Sequence, residues 1–447
     1  MFMYKRKIEQ TLLEWKQRSE KKPLVVKGCR QCGKTSSVLA FAKAHYSNVV
    51  YIDFHEHREY KAFFSGALDV DAITLNITLG MPDARFVAGK TCLVLDEIQD
   101  CPNARASLKF FKLDGRYDVI CTGSLLGVNG YRSDNEERED ETASIPVGFE
   151  EVVNMYPMDF EEWLWANNVQ PRHFDYLRQC FVRRECVNEA VHRRMRELLL
   201  KYVVVGGMPE AVTAFLTTND MNRVQKVQRD IIEAYKSDMV KYALVADKSR
   251  IRECFESIPA QLARENKKFT YSLISSHARA NQYRSSIQWI EDAGIINRCY
   301  NLRITELPLD GNADKEVFKV YMADVGLLVS MLEDGTAWSI MQGDMLSYKG
   351  AVFENLLADI FGKMGRKLYY FRKNSGLELD FVIRYQGECC PVECKATTGN
   401  AKSLQTVLKH PDHYNVKHAI KVGDYNVGVS GALLTIPLYM AFMLDEY

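Results

Sequence analysis

The sequence predicts an α/β fold built on a parallel sheet with helices on both faces. In the first part of the chain, short apolar runs alternate with helical stretches, a glycine-rich turn joins the first run to a helix, and the third run ends in two acidic residues. Parallel strands that are buried on both faces have this near-continuous apolar character. The predicted strands are residues 24–26, 48–54, 91–95 and 117–121, preceded by an amphipathic helix within residues 2–18.

Length and composition limit the classes of protein. The 447 residues suggest two to four domains at roughly 100–200 residues each. The formal net charge is zero, so no overall positive field indicates nucleic-acid binding. The 12 scattered cysteines favour a reducing compartment, and no segment has the apolar length of a signal peptide or a membrane span. We therefore predict a cytoplasmic protein without a membrane span.

A phosphate-binding loop is predicted where the first strand ends. Residues 28–35 fit the pattern G-x-x-x-x-G-K-[ST] between a strand and a helix, a context that makes an accidental match improbable. The loop backbone and the helix N-terminus favour phosphate, Lys34 should reach the β- and γ-phosphates, and Thr35 should ligate Mg²⁺. We expect ATP with Mg²⁺, bound by Gly28, Cys29, Arg30, Gln31, Cys32, Gly33, Lys34, Thr35 and Ser36.

The loop also contains Cys29-x-x-Cys32, which has the spacing of a redox motif or half of a zinc site. No second cysteine pair completes a metal site, so the phosphate-binding interpretation is preferred.

Polar residues follow the third and fourth strands. Asp96 and Glu97 come after four apolar residues, the arrangement in which Asp96 holds Mg²⁺ and Glu97 orients or deprotonates the attacking water. Thr122 ends the fourth strand, where its hydroxyl would contact the γ-phosphate or the water. The alternatives are an exposed acidic pair and an ordinary strand-to-helix turn. In the functional interpretation, Glu97, Lys34 and Thr122 are the catalytic residues, and Thr35 and Asp96 are the metal ligands.

The middle of the chain changes character twice. Residues 131–144 are acid-rich and predict a solvated loop, whereas residues 157–241 are helical with a break at residues 206–209. Three helices and a strand follow within residues 249–303, and residues 318–322 offer a return strand. This order is typical of a winged helix.

The predicted reading helix, residues 281–292, presents Arg284, Ser285, Ser286 and Gln288, with Arg279, Lys267 and Lys268 nearby as phosphate contacts for DNA or RNA. A module that binds a protein partner is an equally good interpretation.

The C-terminal region contains acidic and basic residues inside predicted strands. Residues 377–382 predict one strand with Glu378 and Asp380 on the same face, and residues 391–395 place Glu393 and Lys395 on one face. With Glu354 on the preceding helix, the pattern resembles the PD-(D/E)xK nuclease signature, in which carboxylates hold Mg²⁺ and a lysine positions water. An active nuclease, an inactive site and a domain used for binding all stay open.

The motifs together resemble bacterial and archaeal AAA-type ATPases that carry a C-terminal domain of unknown function. The resemblance covers most of the chain and extends to the words IPVGFEEVVNMYPMDFEEWL, YMADVGLL and KGAVFENLL and to the break at residues 206–209. It implies an AAA+-like core (residues 1–156), a helical lid (157–248), a winged helix (249–342) and a restriction-endonuclease-like domain (343–447).

One position departs from the family pattern. Phe149 stands where similar proteins often carry arginine, and Arg105, Arg116 and Arg298 are alternative candidates for an arginine finger.

We expect an ATP-hydrolysing switch that acts on nucleic acid through the winged helix and the C-terminal domain. The alternatives are a scaffold ATPase with protein partners and an inactive nuclease-like domain, and a nuclease whose nucleotide site is regulatory. The sequence leaves the oligomeric state open.

Overall fold

In the computed structural model, the predicted strands form one parallel sheet near the N-terminus. Its strands are β1 (Leu24–Gly28), β2 (Asn48–Asp53), β3 (Thr91–Asp96), β4 (Asp118–Ser124) and β5 (Glu151–Asn154), in the order β2-β3-β4-β1-β5. All pairs are parallel, which confirms the predicted fold class. The sequence analysis missed β5, a four-residue edge strand that alternates half-buried and exposed residues.

Helices cover both faces of this sheet. The helices are α1 (Ile8–Gln17), α2 (Lys34–His45), α3 (Val70–Gly80) and α4 (Pro102–Asp114), with 3-10 helices at Arg58–Phe64 and Ile98–Asp100. Successive strand side chains point to opposite faces, so Val25 packs with α3 and α4 whereas Leu24 and Val26 pack with α1 and α2. The fold is therefore the α/β fold of a P-loop nucleoside triphosphatase.

The structure describes residues 4–125, 148–242, 247–276, 278–343, 348–373, 375–395 and 401–445. The chain divides into two compact units, Met1–Pro157 with Ser237–Val245, and Met158–Lys236 with Ala246–Tyr447. The acid-rich segment 131–144 lies outside the described residues, and the division into four domains stays a prediction.

The second unit begins with helices, as the sequence predicts. They are α5 (Phe160–Ala166), α6 (Pro171–Arg183), α7 (Glu189–Val205), α8 (Pro209–Thr218) and α9 (Met221–Tyr242), whose last residues are assigned to the first unit. Further along the chain lie α10 (Lys248–Glu256), α11 (Ile258–Leu262), α12 (Ala280–Asp292), α13 (Val325–Ser330), α14 (Thr336–Gln342), α15 (Lys349–Lys363), α16 (Lys402–Lys409) and α17 (Pro411–Tyr414). Short 3-10 helices lie at Tyr271–Leu273, Leu309–Asn312 and Leu438–Asp445.

Two further sheets belong to the second unit. One contains β6 (Ile296–Leu302), β7 (Ala313–Met322), β8 (Leu368–Arg372) and β9 (Glu378–Leu379) in the order β7-β6-β8-β9. The other contains β10 (Phe381–Tyr385), β11 (Glu388–Lys395), β12 (Ala419–Gly423), β13 (Gly428–Ser430) and β14 (Leu433–Pro437) in the order β10-β11-β12-β14-β13. The first of these sheets joins β6 and β7 to β8 and β9, so it crosses the predicted boundary at residue 342.

The single strand predicted over residues 377–382 is wrong. The chain bends at Asp380, so that β9 and β10 enter different sheets. At this bend the chain passes from β9, which pairs with β8, to β10, which pairs with β11.

The break at residues 206–209 is a close backbone crossing within the second unit. A Cβ on Gly207 would lie 1.9 Å from the Met158 carbonyl oxygen, and one on Gly206 would lie 2.2 Å from Asp324 Oδ1. The Gly207 N–H donates to Asp324 Oδ2 at 2.7 Å, and the Lys363 ammonium lies 2.8 Å from the Asp359 carboxylate and 3.4 Å from Asp324. These buried contacts bring together three motifs of the sequence: the break at residues 206–209, the motif that contains Met158 and the motif that contains Asp324.

Candidate functional site

The phosphate-binding loop runs from the end of β1 to the start of α2. Gly33 has φ +97° as the N-cap residue of α2, a conformation that glycine adopts readily. A Cβ on Gly28 would lie 2.1 Å from the Met155 carbonyl oxygen. Both glycines of the motif are therefore needed for the path of the backbone.

Lys34 lies over this loop. Its ammonium donates to the carbonyl oxygens of Gly28 at 3.2 Å and of Cys29 at 2.9 Å, and the residue is buried. The charge is thus held at the loop itself. Among the other loop residues, Arg30 pairs with Asp238 at 2.7 Å, Gln31 has φ +61°, and Ser36 lies in the first turn of α2.

The loop cysteines are buried thiols. Cys32 Sγ donates to the Met155 carbonyl oxygen at 3.5 Å. The hydrogen bond from Cys29, with the nearby charges of Lys34 and Arg6, lowers the pKa of Cys32 to about 6 against the opposing effect of burial. Both side chains belong to the apolar cluster between the sheet and α1 and α2. In the described part of the chain, no group of three or more His, Cys, Asp or Glu residues is placed to hold a metal ion, so the zinc interpretation gains no support.

Asp96 joins the loop to the two neighbouring strands. Its Oδ1 accepts hydrogen bonds from Thr35 Oγ1 at 3.0 Å and from Thr122 Oγ1, and its Oδ2 accepts one from the Tyr51 hydroxyl at 2.9 Å. Because β4 lies between β1 and β3, the end of β4 brings Thr122 between the loop and Asp96. We call Thr35, Tyr51, Asp96 and Thr122 the Asp96 network.

Tyr51 is the member that the sequence analysis missed. Burial, and then the negative charge of Asp96, raise the pKa of its hydroxyl, which therefore stays a donor. The sequence indicated this contact only weakly, because Tyr51 and Asp53 alternate along β2, the strand beside β3.

Glu97 lies beside the Asp96 network. Its backbone has φ +52°, its N–H donates to Asp96 Oδ1 at 3.2 Å, and its carboxylate accepts a hydrogen bond from the Gln99 amide. The side chain is half-buried. The structure thus places the carboxylate next to the predicted metal ligand and gives it a partner, Gln99, that the sequence analysis did not identify.

The three arginine-finger candidates all make ion pairs within their own units. Arg105 pairs with Glu150 at 2.7 Å. Arg116 pairs with Asp71 at 2.6 Å and with Asp114 at 2.8 Å. Arg298, in the second unit, pairs with Glu291. Phe149 lies 5.5 Å from the Lys109 ammonium, which faces its ring.

In the second unit, a buried lysine separates two of the predicted nuclease-like carboxylates. Lys319, on β7, is 1% exposed and lies 3.0 Å from Glu354 and 2.8 Å from Glu378. Lys267 pairs with Glu354 at 2.7 Å, and the Tyr321 hydroxyl also donates to Glu354. The sequence analysis missed Lys319, although a lysine inside the apolar run 318–322 was a signal. Lys267 was predicted as a phosphate contact and is instead a partner of Glu354.

The other three predicted residues lie at the start of β10 and on β11. Asp380 Oδ2 accepts the Cys394 N–H at 2.9 Å, and Glu393 pairs with Lys395. Glu393 Oε2 is buried and has no hydrogen-bond partner among the residues that the structure describes. We call Lys267, Lys319, Glu354, Glu378, Asp380, Glu393 and Lys395 the Lys319 cluster.

The charges of this cluster shift its acids in opposite directions. Burial alone would raise the pKa of Glu354, but Lys319 and Lys267 lower it to about 2. Burial, and then the charge of Glu354, raise the pKa of Asp380 to about 7. The ammonium groups therefore neutralise Glu354 more effectively than Asp380.

The predicted nucleic-acid helix corresponds to α12. Ile287 and Ile290 are buried as expected, but Ser286 is also buried, which corrects its assignment to the polar side. Arg284 and Ser285 are exposed and Gln288 is half-buried, so these three predicted residues do lie on the polar side of the helix.

Three family models match this chain in separate regions. An AAA domain matches residues 20–164, and two domains of unknown function, DUF8612 and DUF4143, match residues 196–337 and 349–439. No curated protein matches the chain significantly.

Among solved structures, a Walker-type ATPase of Pyrococcus abyssi is similar at 14% identity, with 74% of this chain and 96% of that chain covered and a TM-score of 0.41. Among the described residues, no helix is long and apolar enough to cross a membrane.

The AAA-domain match spans the whole parallel sheet, the phosphate-binding loop and the Asp96 network. Residues 20–164 therefore form an AAA domain, and two regions that match domains of unknown function follow it.

Proposed function

We propose that this protein is a Mg²⁺-dependent ATPase that works as a switch, with the nucleotide state controlling how its second unit engages nucleic acid. The observation that carries the ATPase part is the Asp96 network. It joins the phosphate-binding loop, the strand before Glu97 and the polar end of β4 by direct hydrogen bonds. The coupling to nucleic acid is an inference from the order of the regions.

The donor set fits a magnesium ion. Thr35 and Asp96 supply a hydroxyl and a carboxylate, and oxygen ligands of this kind are the ones that Mg²⁺ prefers. When bound, the metal neutralises charge on the phosphates. Thr122 and Tyr51 orient the Asp96 carboxylate through their hydroxyl groups.

The remaining residues act on the phosphates and on the attacking water. Lys34, already held at the loop, binds the β- and γ-phosphates of ATP, and the N-terminus of α2 favours the same charge. Glu97 orients the water and accepts its proton, while Gln99 fixes the direction of the Glu97 carboxylate.

The test compares ATP binding and hydrolysis in three variants. Glu97→Gln should bind ATP normally and lose about 100-fold or more in turnover, because a positioned general base contributes about that much. Lys34→Ala should weaken binding itself. Glu56→Gln, the same change at an exposed glutamate, should match wild type. Full hydrolysis by Glu97→Gln would remove Glu97 from the mechanism.

For the C-terminal region, we infer that the Lys319 cluster does not cut nucleic acid. Two ammonium groups already neutralise Glu354, one of them also neutralises Glu378, and Lys395 pairs with Glu393. This favours a binding or structural role for the nuclease-like pattern, and a scaffold ATPase with protein partners is the second candidate function.

Incubating DNA and RNA with the protein and Mg²⁺ or Mn²⁺ tests this inference. Cleavage by wild type that disappears in both Asp380→Ala and Lys395→Ala would overturn it. Stimulation of ATP hydrolysis by nucleic acid, and not by added proteins, would separate the switch from the scaffold.

A further inference from the structure

A groove of about 600 Å³ lies on the second unit, lined by α12, β6, β7 and the start of β8. It is separate from the residues of the Asp96 network and of the Lys319 cluster. Its lining combines aromatic rings, amides and charged side chains, and among the described residues it has five cationic residues against three acidic ones. A site of this composition favours a ligand that is both aromatic and anionic.

The wall of the groove is a fixed arrangement of flat groups. The Arg298 guanidinium lies 5.4 Å from the centre of the Tyr300 ring and 5.6 Å from that of Phe318. Glu291 and Gln288 both accept hydrogen bonds from Arg298, which fixes the plane of the guanidinium. Guanidinium and tyrosine planes are surfaces on which bases stack.

The rim of the groove carries exposed positive charge. Lys315 is exposed, and Lys367 and Arg284 are 70% and 60% exposed. Their acidic neighbours are exposed too: Lys367 lies 3.3 Å from Asp310, and Arg284 pairs with Glu316. Ion pairs between exposed side chains contribute little to stability, so a phosphate can replace the carboxylate at little cost.

We propose that this groove binds single-stranded nucleic acid, with a base stacked against Tyr300 and Arg298 and the adjoining phosphates on Lys315 and Lys367. A duplex hides its base faces within the stack, so only unpaired nucleotides offer both the ring and the phosphate. The inference deepens the nucleic-acid part of the proposed function and requires no ATP hydrolysis.

The experiment measures binding of fluorescein-labelled 20-nucleotide single-stranded DNA and RNA to the full chain by fluorescence anisotropy at several salt concentrations. Lys315→Gln with Lys367→Gln should weaken binding and reduce the salt slope by about 1.4, because each phosphate contact on a single strand contributes about 0.7. Lys402→Gln with Lys409→Gln removes the same charge from two exposed lysines of α16, outside the groove, and should bind as wild type does.

Tyr300→Leu tests the stacking and should weaken binding about 5- to 150-fold with a small change in the salt slope. If the groove variants and the control variant bind the strand equally well, the groove is not the binding site, and the proposed ATPase activity is unaffected by that result. Absence of binding by wild type would overturn both the groove and the nucleic-acid part of the proposed function. If AMP displaces the labelled strand at equal nucleotide concentration, the groove binds free nucleotides, and the proposal that its ligand is a single strand is wrong.

Glu97→Gln, which alters only the ATPase site, should bind the labelled strand like wild type in the absence of ATP. Loss of binding there would contradict the independence of the groove from the ATPase site.

Discussion

Replacing Lys319 by methionine tests whether this buried ammonium holds the second unit together. The side chain is 1% exposed and lies within 3.0 Å of two carboxylates, so the variant leaves Glu354 and Glu378 with less positive charge around them. Removing one partner of a buried ion pair is strongly destabilising, because the remaining charge stays out of water.

The size of the effect follows from Glu354. Its pKa falls from 4.5 to about 2 in the folded protein, which corresponds to about 3 kcal/mol of stability. Since the folded-state pKa is lowered, this stability is present above pH 4.5 and is lost as the pH falls towards 2. Lys319→Met should remove the largest single contribution to it at neutral pH, Lys267 and Tyr321 supplying the rest, and at roughly 2–4 °C per kcal/mol the melting temperature should fall by up to roughly 6–12 °C.

The same variant should depend on pH in a second way. The pKa of Asp380 is raised, so its contribution to stability is present below pH 3.8 and is lost as the pH rises through about 7. Lys319 opposes that rise, so its removal should make ionisation of Asp380 still more costly. The difference in melting temperature between wild type and variant should therefore be larger at pH 8.5 than at pH 6.

Differential scanning calorimetry at both pH values measures these effects. Lys315→Met, at an exposed position of the same strand, is the matched control and should change the melting temperature by no more than about 2 °C. Adding Glu354→Gln to Lys319→Met removes the charge left behind and should recover part of the loss. If Lys319→Met melts like its control, Lys319 is not the counter-ion that this reasoning requires.

Three further predictions concern other parts of the chain. Tyr51→Phe removes a hydrogen bond to the Asp96 carboxylate and should lower ATP turnover by about tenfold. Unchanged turnover would show that Thr35 and Thr122 are sufficient to orient Asp96. Gly207→Ala should destabilise the second unit by about 1–3 kcal/mol in thermal unfolding, because its Cβ would meet the Met158 carbonyl oxygen. The control is Gly350→Ala, whose Cβ would enter open space and which should leave the unfolding temperature unchanged. Iodoacetamide followed by peptide mass spectrometry should label the exposed Cys186 before the buried Cys32, and the reverse order would show that the loop opens readily.

Local sequence patterns were sufficient to predict those elements whose own residues form a recognisable motif or apolar run. The phosphate-binding loop was predicted from a motif between a strand and a helix, and Glu354 lies on a helix, α15, as predicted. The apolar runs of the parallel sheet were recognisable because strands buried on both faces need no alternation. The short edge strand β5 lacked that signal, since its residues alternate between half-buried and exposed positions.

The parts that failed depend on pairing between distant segments. Residues 377–382 alternate like one strand, but β9 pairs with β8 and β10 pairs with β11, so the strand breaks where the two sheets diverge. Lys319 approaches Glu354 because β7 and α15 pack together, and no local pattern in either segment specifies that contact. Tyr51 likewise reaches Asp96 only through the neighbouring position of β2 and β3.

The two acidic sites of this protein contain similar residue types but differ in the charge of their partners. In the described part of the chain, the side chains that bond Asp96 are the hydroxyl groups of Thr35, Thr122 and Tyr51, which orient the carboxylate without neutralising it. The carboxylates of Glu354 and Glu378 are instead in contact with ammonium groups, which satisfy their charge within the protein. A divalent cation gains the full attraction of Asp96, whereas at Glu354 it would first have to displace a buried lysine and leave that charge unpaired. This difference in partners, which residue spacing alone does not reveal, is the reason to assign metal-dependent chemistry to the phosphate-binding loop and a different role to the C-terminal cluster.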